Sequence, residues 1–174
     1  MYNTLFKRST GIQFSRRFAM IYGVIAAGTL LWCIAFIASP RLIEMGGIHS
    51  LFAIGFRYFY SFICHQNPDR SFHVLGHSMA VCARCTGIYF GALIGILTFP
   101  FTIGWFNEHS PWKKWLVIVI GLNLIEFTLS SLNLFSNLIL RAGTGLTLGL
   151  GIASCALFAI FTHIQIRLKW RDST

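Results

Sequence analysis

Two short groups, Cys64-His65-Gln66 and Cys82-Ala83-Arg84-Cys85, hold the residue types most able to do chemistry. Cys82 and Cys85 are three positions apart at the predicted start of a helix, which places both sulfurs on one face. A helix N-terminus also lowers a thiol's pKa, favouring the thiolate that metal binding and disulfide exchange both require. Adding Cys64 and one histidine, His65 or another from the loop such as His73 or His77, makes a Cys3His set that closes a tetrahedral site for zinc or another transition metal. The 17 residues between Cys64 and Cys82 match the space between the two ligand pairs of a small zinc module. Adjacent side chains point in different directions, so Cys64 and His65 do not converge simply on one ion, and the identity of the histidine is open.

Thiol redox is the competing chemistry. A Cys-x-x-Cys at the outer edge of a four-helix membrane bundle resembles the layout of disulfide-bond formation protein B and of vitamin K epoxide reductases, which implies a quinone as electron acceptor. Those enzymes relay electrons through a second cysteine pair. Here Cys64 would have to pair with the membrane-embedded Cys33 or act alone. Cys33 and Cys155 are read as packed, inert thiols. A third reading uses the arginines instead. Arg70, Arg84 and Arg141, with Gln66, Ser71 and Asn137, suit an anion site for a lipid headgroup or a small phosphate-like ligand, because guanidinium forks match such groups.

The elements that must position these residues are membrane helices. The chain has 174 residues, 55% hydrophobic and 11% charged, which suits one domain and is too apolar for a water-soluble one. Four stretches reach the roughly 20 residues that a spanning helix needs, at about 19–39, 80–103, 115–134 and 141–164. The first is longer than the roughly 7–15 residue core of a secretory signal, so it is read as a span. The loop 40–79 contains a weaker apolar segment, about 48–62, whose His49 and Arg57 mark it as interfacial or re-entrant. The predicted fold is all-α, a four-span bundle forming one integral membrane domain.

Orientation follows from the basic residues. Lys7, Arg8, Arg16 and Arg17 precede the first span, Lys113 and Lys114 separate the second from the third, and Arg167, Lys169 and Arg171 follow the fourth. The positive-inside rule then puts both termini in the cytoplasm and the Cys/His loop outside, or in the periplasm. These nine account for most of the 14 basic residues, so the net charge of +9 reflects topology and gives no reason to invoke nucleic acid.

Small residues recur every four positions at Gly87, Gly91 and Gly95 in the second span and at Gly145 and Gly149 in the fourth. That spacing lets helix backbones approach closely in lipid and predicts a seam between these two spans. Arg84 and Arg141 extend the two halves of the seam outward, so their guanidinium groups should start near one contact. Asn123, Glu126, Ser130 and Asn133 form a polar stripe on the third span, and Glu126 is the obvious counter-charge. An acid inside a span is by default a functional-site hypothesis, with an ion pair that only holds the bundle as its alternative.

The run Cys64-His65-Gln66, then Pro68, Arg70-Ser71-Phe72, then Val81 to Tyr89 and Gly91, resembles the small prokaryotic membrane proteins grouped as domain of unknown function 2085. The resemblance covers about 28 residues strongly and extends to Glu126, Asn137, Arg141, Thr144, Gly145 and Gly149. The family's usual acid in the third span is Asp with a nearby Pro, where this chain has Glu126 and no Pro. The resemblance implies an integral membrane protein of this size and carries no activity with it. The residues themselves point to a structural metal site at the outer membrane boundary, beside a polar pocket lined by Arg70, Arg84, Glu126 and Arg141.

Overall fold

A computed structural model describes residues 16–108, 111–132 and 137–172. Five helices follow one another: α1 (Arg16–Met45), α2 (Gly47–Ser61), α3 (Ala83–Glu108), α4 (Pro111–Ser131) and α5 (Leu138–Asp172). Between α2 and α3 lie a 3-10 turn, Pro68–Arg70, and two short antiparallel strands, β1 (His73–Val74) and β2 (His77–Ser78). Helices suit this sequence because they satisfy their own backbone polar groups, which lipid cannot do. Their outer faces are apolar: Val24, Leu31, Phe101 and Ile139 are each at least 66% exposed. Apolar surface on that scale needs lipid rather than water against it.

Among the described residues three helices are long and apolar enough to cross a membrane, over Phe18–Met45, Ala83–Thr102 and Leu138–Ile164. Within α4, the described residues Leu116–Ser131 form a shorter apolar helix. The expected fourth span is therefore a shorter apolar helix among the described residues. The side chains of Arg17, Lys113, Arg167, Lys169 and Arg171, and all of Lys7, Arg8 and Asn133, lie outside the described residues.

The first helix runs past the expected end at 39 and on to Met45, through Pro40. Proline is tolerated within membrane helices, and the following Arg41-Leu42-Ile43-Glu44-Met45 are mostly good helix formers. The helix stops at Gly46 and Gly47, whose φ angles of 67° and 56° lie in the left-handed region that side chains disfavour. The chain then reverses into α2, close to the expected 48–62, which packs back along α1.

An aromatic cluster fixes that reversal. The Tyr60 hydroxyl donates to the Trp32 carbonyl at 2.8 Å, and Trp32 meets Phe59, Tyr60 and Tyr89 edge-on with ring centroids 5.1–5.7 Å apart. Cys33, Phe36, Cys64, Met79, Ala80 and Val81 complete this core. Replacing Tyr60 by Phe keeps the ring and removes the hydrogen bond. A loss of about 1 kcal/mol is expected, read as a lower denaturation midpoint with unchanged helix content. A second core, Phe18, Ile96, Phe99, Leu157 and Phe161, ties the other end of α1 to α3 and α5, where the Tyr22 hydroxyl donates to the Ile96 carbonyl at 2.9 Å.

The α3–α5 pair forms the most extensive interface, along the glycine seam. A Cβ built on Gly91 would stand 2.0 Å from the Leu146 carbonyl oxygen, and one on Gly149 2.0 Å from the Ile88 oxygen. Gly87 and Gly145 face Ala142 and Arg84 backbone in the same way, and Gly95 meets Leu150 at 2.9 Å. No side chain fits between these backbones. The close approach also brings the starts of α3 and α5, and hence Arg84 and Arg141, side by side.

Candidate metal centre and its charged neighbours

Cys64 follows the last turn of α2, where its N–H donates to the Tyr60 carbonyl at 2.9 Å. Gln66, in the left-handed region at φ 49°, turns the chain away and donates its side-chain amide to the Arg57 carbonyl. Asn67 then caps the 3-10 turn, and the buried Ser71 hydroxyl donates to the Asn67 carbonyl at 2.8 Å. The strands pair across Leu75-Gly76, both at positive φ, as two-residue hairpins with matching twist require. Met79 closes the base of this hairpin by donating its N–H to the Phe72 carbonyl at 2.8 Å. Arg57 fastens the hairpin to α2, donating to the Ser78 carbonyl at 2.8 Å and the Ser78 hydroxyl at 3.2 Å. Sequence reasoning took Arg57 only as a mark of an interfacial segment; the signal was a lone arginine opposite a serine-bearing loop.

From there the fully buried Ala80 and Val81 lead into Cys82, whose carbonyl accepts from the Thr86 N–H at 2.9 Å as the first turn of α3 forms. The loop thus returns Cys64 to Cys82 and Cys85. The three sulfurs lie within 4.8 Å of one another, and all three are free thiols. Sulfurs sharing a tetrahedral zinc at about 2.3 Å each would be about 3.8 Å apart, so the cluster is within reach of one ion. The Cys82 N–H donates to the Cys64 sulfur at 3.2 Å, the kind of outer contact that orients a thiolate ligand. Hydrogen bonding with the Cys64 thiol, and then with Cys85, holds the Cys82 thiol well below the usual thiol range. The same contact with Cys82 pushes Cys64 upward. Opposite shifts of this kind are what a thiolate accepting from a neighbouring thiol produces.

No histidine joins this cluster among the described residues. His65 and His73 are exposed, and His77 is half-buried on β2. The neighbour relation of Cys64 and His65 explains the difference: with Cys64 turned inward to the core, His65 is turned out.

Arg84 sits between the two thiols in sequence, yet its guanidinium reaches across to α4. It forms an ion pair with Glu126 through Nη2 and lies over the Phe127 ring, 5.2 Å from its centroid. Glu126 is 7% exposed, and its other oxygen stands 3.8 Å from Arg141 Nε. Arg141, 5% exposed, donates through Nη2 to the Ser130 hydroxyl. Glu126 and Ser130, four apart on α4, therefore face both arginines as the polar stripe predicted, while Asn123 turns to the Val119 carbonyl of its own helix. Asn137, expected in the pocket, caps α5 instead, accepting from the Ile139 N–H at 2.8 Å. Gln66 and Ser71 serve the loop. Arg70 is exposed above the pair, close enough for its charge to act on Arg141. The Phe127 contact was not foreseen; a phenylalanine next to the only acid of the span was the available sign.

The family model described as "Predicted membrane protein (DUF2085)" matches residues 64–155, a segment that begins at Cys64 and includes both cysteines of the second group, Arg84, Glu126 and Arg141. An uncharacterised protein of Methanocaldococcus jannaschii is 38% identical over 111 residues, covering 63% of this chain and 71% of that relative. An uncharacterised protein of Methanothermobacter thermautotrophicus is 35% identical over 109 residues, covering 63% of this chain and 96% of its own length. No solved structure matches the chain.

Proposed function

The chain belongs to the DUF2085 family of predicted membrane proteins, and from that premise we propose that Cys64, Cys82 and Cys85 bind one zinc ion, or another thiophilic transition metal. The observation that carries this reading is the mutual distance of the three sulfurs, all within 4.8 Å. A thiol–disulfide relay needs a pair and a second pair, whereas here a third sulfur from a separate segment completes a single cluster. The ion would fasten the loop after α2 to the first turn of α3, and its chemistry there is that of a thiolate-bound, structural centre. His65 remains the candidate for the fourth position, by turning inward when metal binds.

The same reading has the centre on the outer side of the membrane, with both termini in the cytoplasm. Lys114, exposed at the start of α4 and at the opposite end of that helix from Glu126, supports it.

Elemental analysis of the detergent-purified protein, with thiol alkylation before and after a chelator, tests the proposal. One zinc per chain is expected, with Cys64, Cys82 and Cys85 alkylated only after chelation, and Cys82→Ser should lose the ion. A metal-free protein recovered with a Cys82–Cys85 disulfide would sink the proposal. In that case thiol oxidation linked to a quinone becomes the reading to pursue.

A further inference from the structure

The charges around Glu126 do not balance. Among the described residues Arg84 and Arg141 share this single carboxylate, which leaves one cation without a counter-charge. Arg70 adds a second cation, close enough for its charge to act on Arg141. A zinc ion on three thiolates would contribute one negative charge, so at least one cation remains in excess with or without the metal.

The hydrogen bonding is also incomplete. Arg141 is 95% buried, and among the described residues neither its Nε nor the Nε of Arg84 has a hydrogen-bond partner. Glu126 at 3.8 Å from Arg141 Nε is too far to accept from it. A buried guanidinium with an unused donor and an uncompensated charge is costly, and its cost falls when an anion supplies both the charge and the acceptors. Both arginines lie in the first turns of their helices. Arg84 is open on one side, with its side chain 25% exposed. Tetrahedral oxyanions suit such an array, because several N–H donors can reach different oxygens.

We propose that Arg84 and Arg141, with Arg70 above them, bind one phosphate group, carried by an anionic lipid headgroup or as free phosphate. The site is separate from the thiol cluster and stands whether or not that cluster holds metal.

The test uses the full chain in detergent. Thermal stability and native mass spectrometry are recorded with added phosphatidylglycerol, with phosphatidylcholine, and with inorganic phosphate against chloride at equal ionic strength. Preferential retention of phosphatidylglycerol assigns the group to a lipid, and protection by inorganic phosphate alone assigns it to the free anion. Either supports the site, provided that Arg70→Gln weakens the effect by about tenfold or more, the size expected for one charge-assisted contact. Arg70 is exposed and makes no ion pair among the described residues, so this variant should fold; circular dichroism checks that it does. Arg84→Gln should weaken binding further. Equal retention of both lipids with no effect of phosphate would overturn the proposal, as would an unchanged preference in folded Arg70→Gln.

Discussion

Gly91→Val is expected to cost at least about 4 kcal/mol and to part α3 from α5. A Cβ at this position meets the Leu146 oxygen at 2.0 Å and its carbonyl carbon at 2.8 Å, and both atoms belong to the backbone of a facing helix. A flexible side chain would rotate aside; a carbonyl held in a helical ladder does not. The strain must therefore move a whole helix, and with it the dispersion contacts of the most extensive interface in the protein. Gly149→Val should do the same from the other side, against the Ile88 oxygen. Gly121→Ala is the control. Nothing lies within 4 Å of that position, so an alanine there should be neutral or stabilise the helix by up to about 1 kcal/mol. Denaturation midpoints of the three variants check the contrast.

The second large effect is that of Glu126→Gln, expected to cost about 3–5 kcal/mol. The amide keeps the shape of the acid and removes the carboxylate that, among the described residues, pairs with two guanidinium groups, one of them almost wholly buried. Most of the loss comes from the cations left behind, so removing one of them as well should return part of it. The double variant Glu126→Gln with Arg84→Gln is thus expected to be more stable than Glu126→Gln alone. Additive losses in that cycle would mean that the two residues do not interact.

The helices, the glycine seam and the pairing of both arginines with Glu126 were legible in the sequence because each follows from a local periodicity. Four-residue spacing of Gly87, Gly91 and Gly95 against Gly145 and Gly149 specifies which faces meet, and that contact alone aligns Arg84 with Arg141. The grouping of Cys64 with Cys82 and Cys85 followed from residue type. What could not be read depends on backbone conformation between the helices. The reversal at Gly46-Gly47 and the left-handed turn at Gln66 decide that Cys64 faces the core and His65 does not. Asn137 looked like a pocket residue because polar side chains near a site and helix caps share one composition; its Oδ1 serves the first N–H groups of α5.

The seam also has a consequence for how the protein is made. Gly87 and Gly145 lie 58 positions apart, so α3 enters the membrane well before its partner has been synthesised. At about 5–20 residues per second, the interval is roughly 3–12 seconds. During that time the groove on α3, too shallow for any side chain but glycine's hydrogen, has only lipid or an insertion factor to cover it. The helix that follows α3 directly, α4, meets it through Glu126 and Arg84, while the glycines of α3 face only α5 among the described residues. Arrival of α5 therefore completes the glycine contact and supplies Arg141 to Glu126 in one event. The glycine seam and the second half of the charged cluster thus both depend on a helix inserted after α3 and α4.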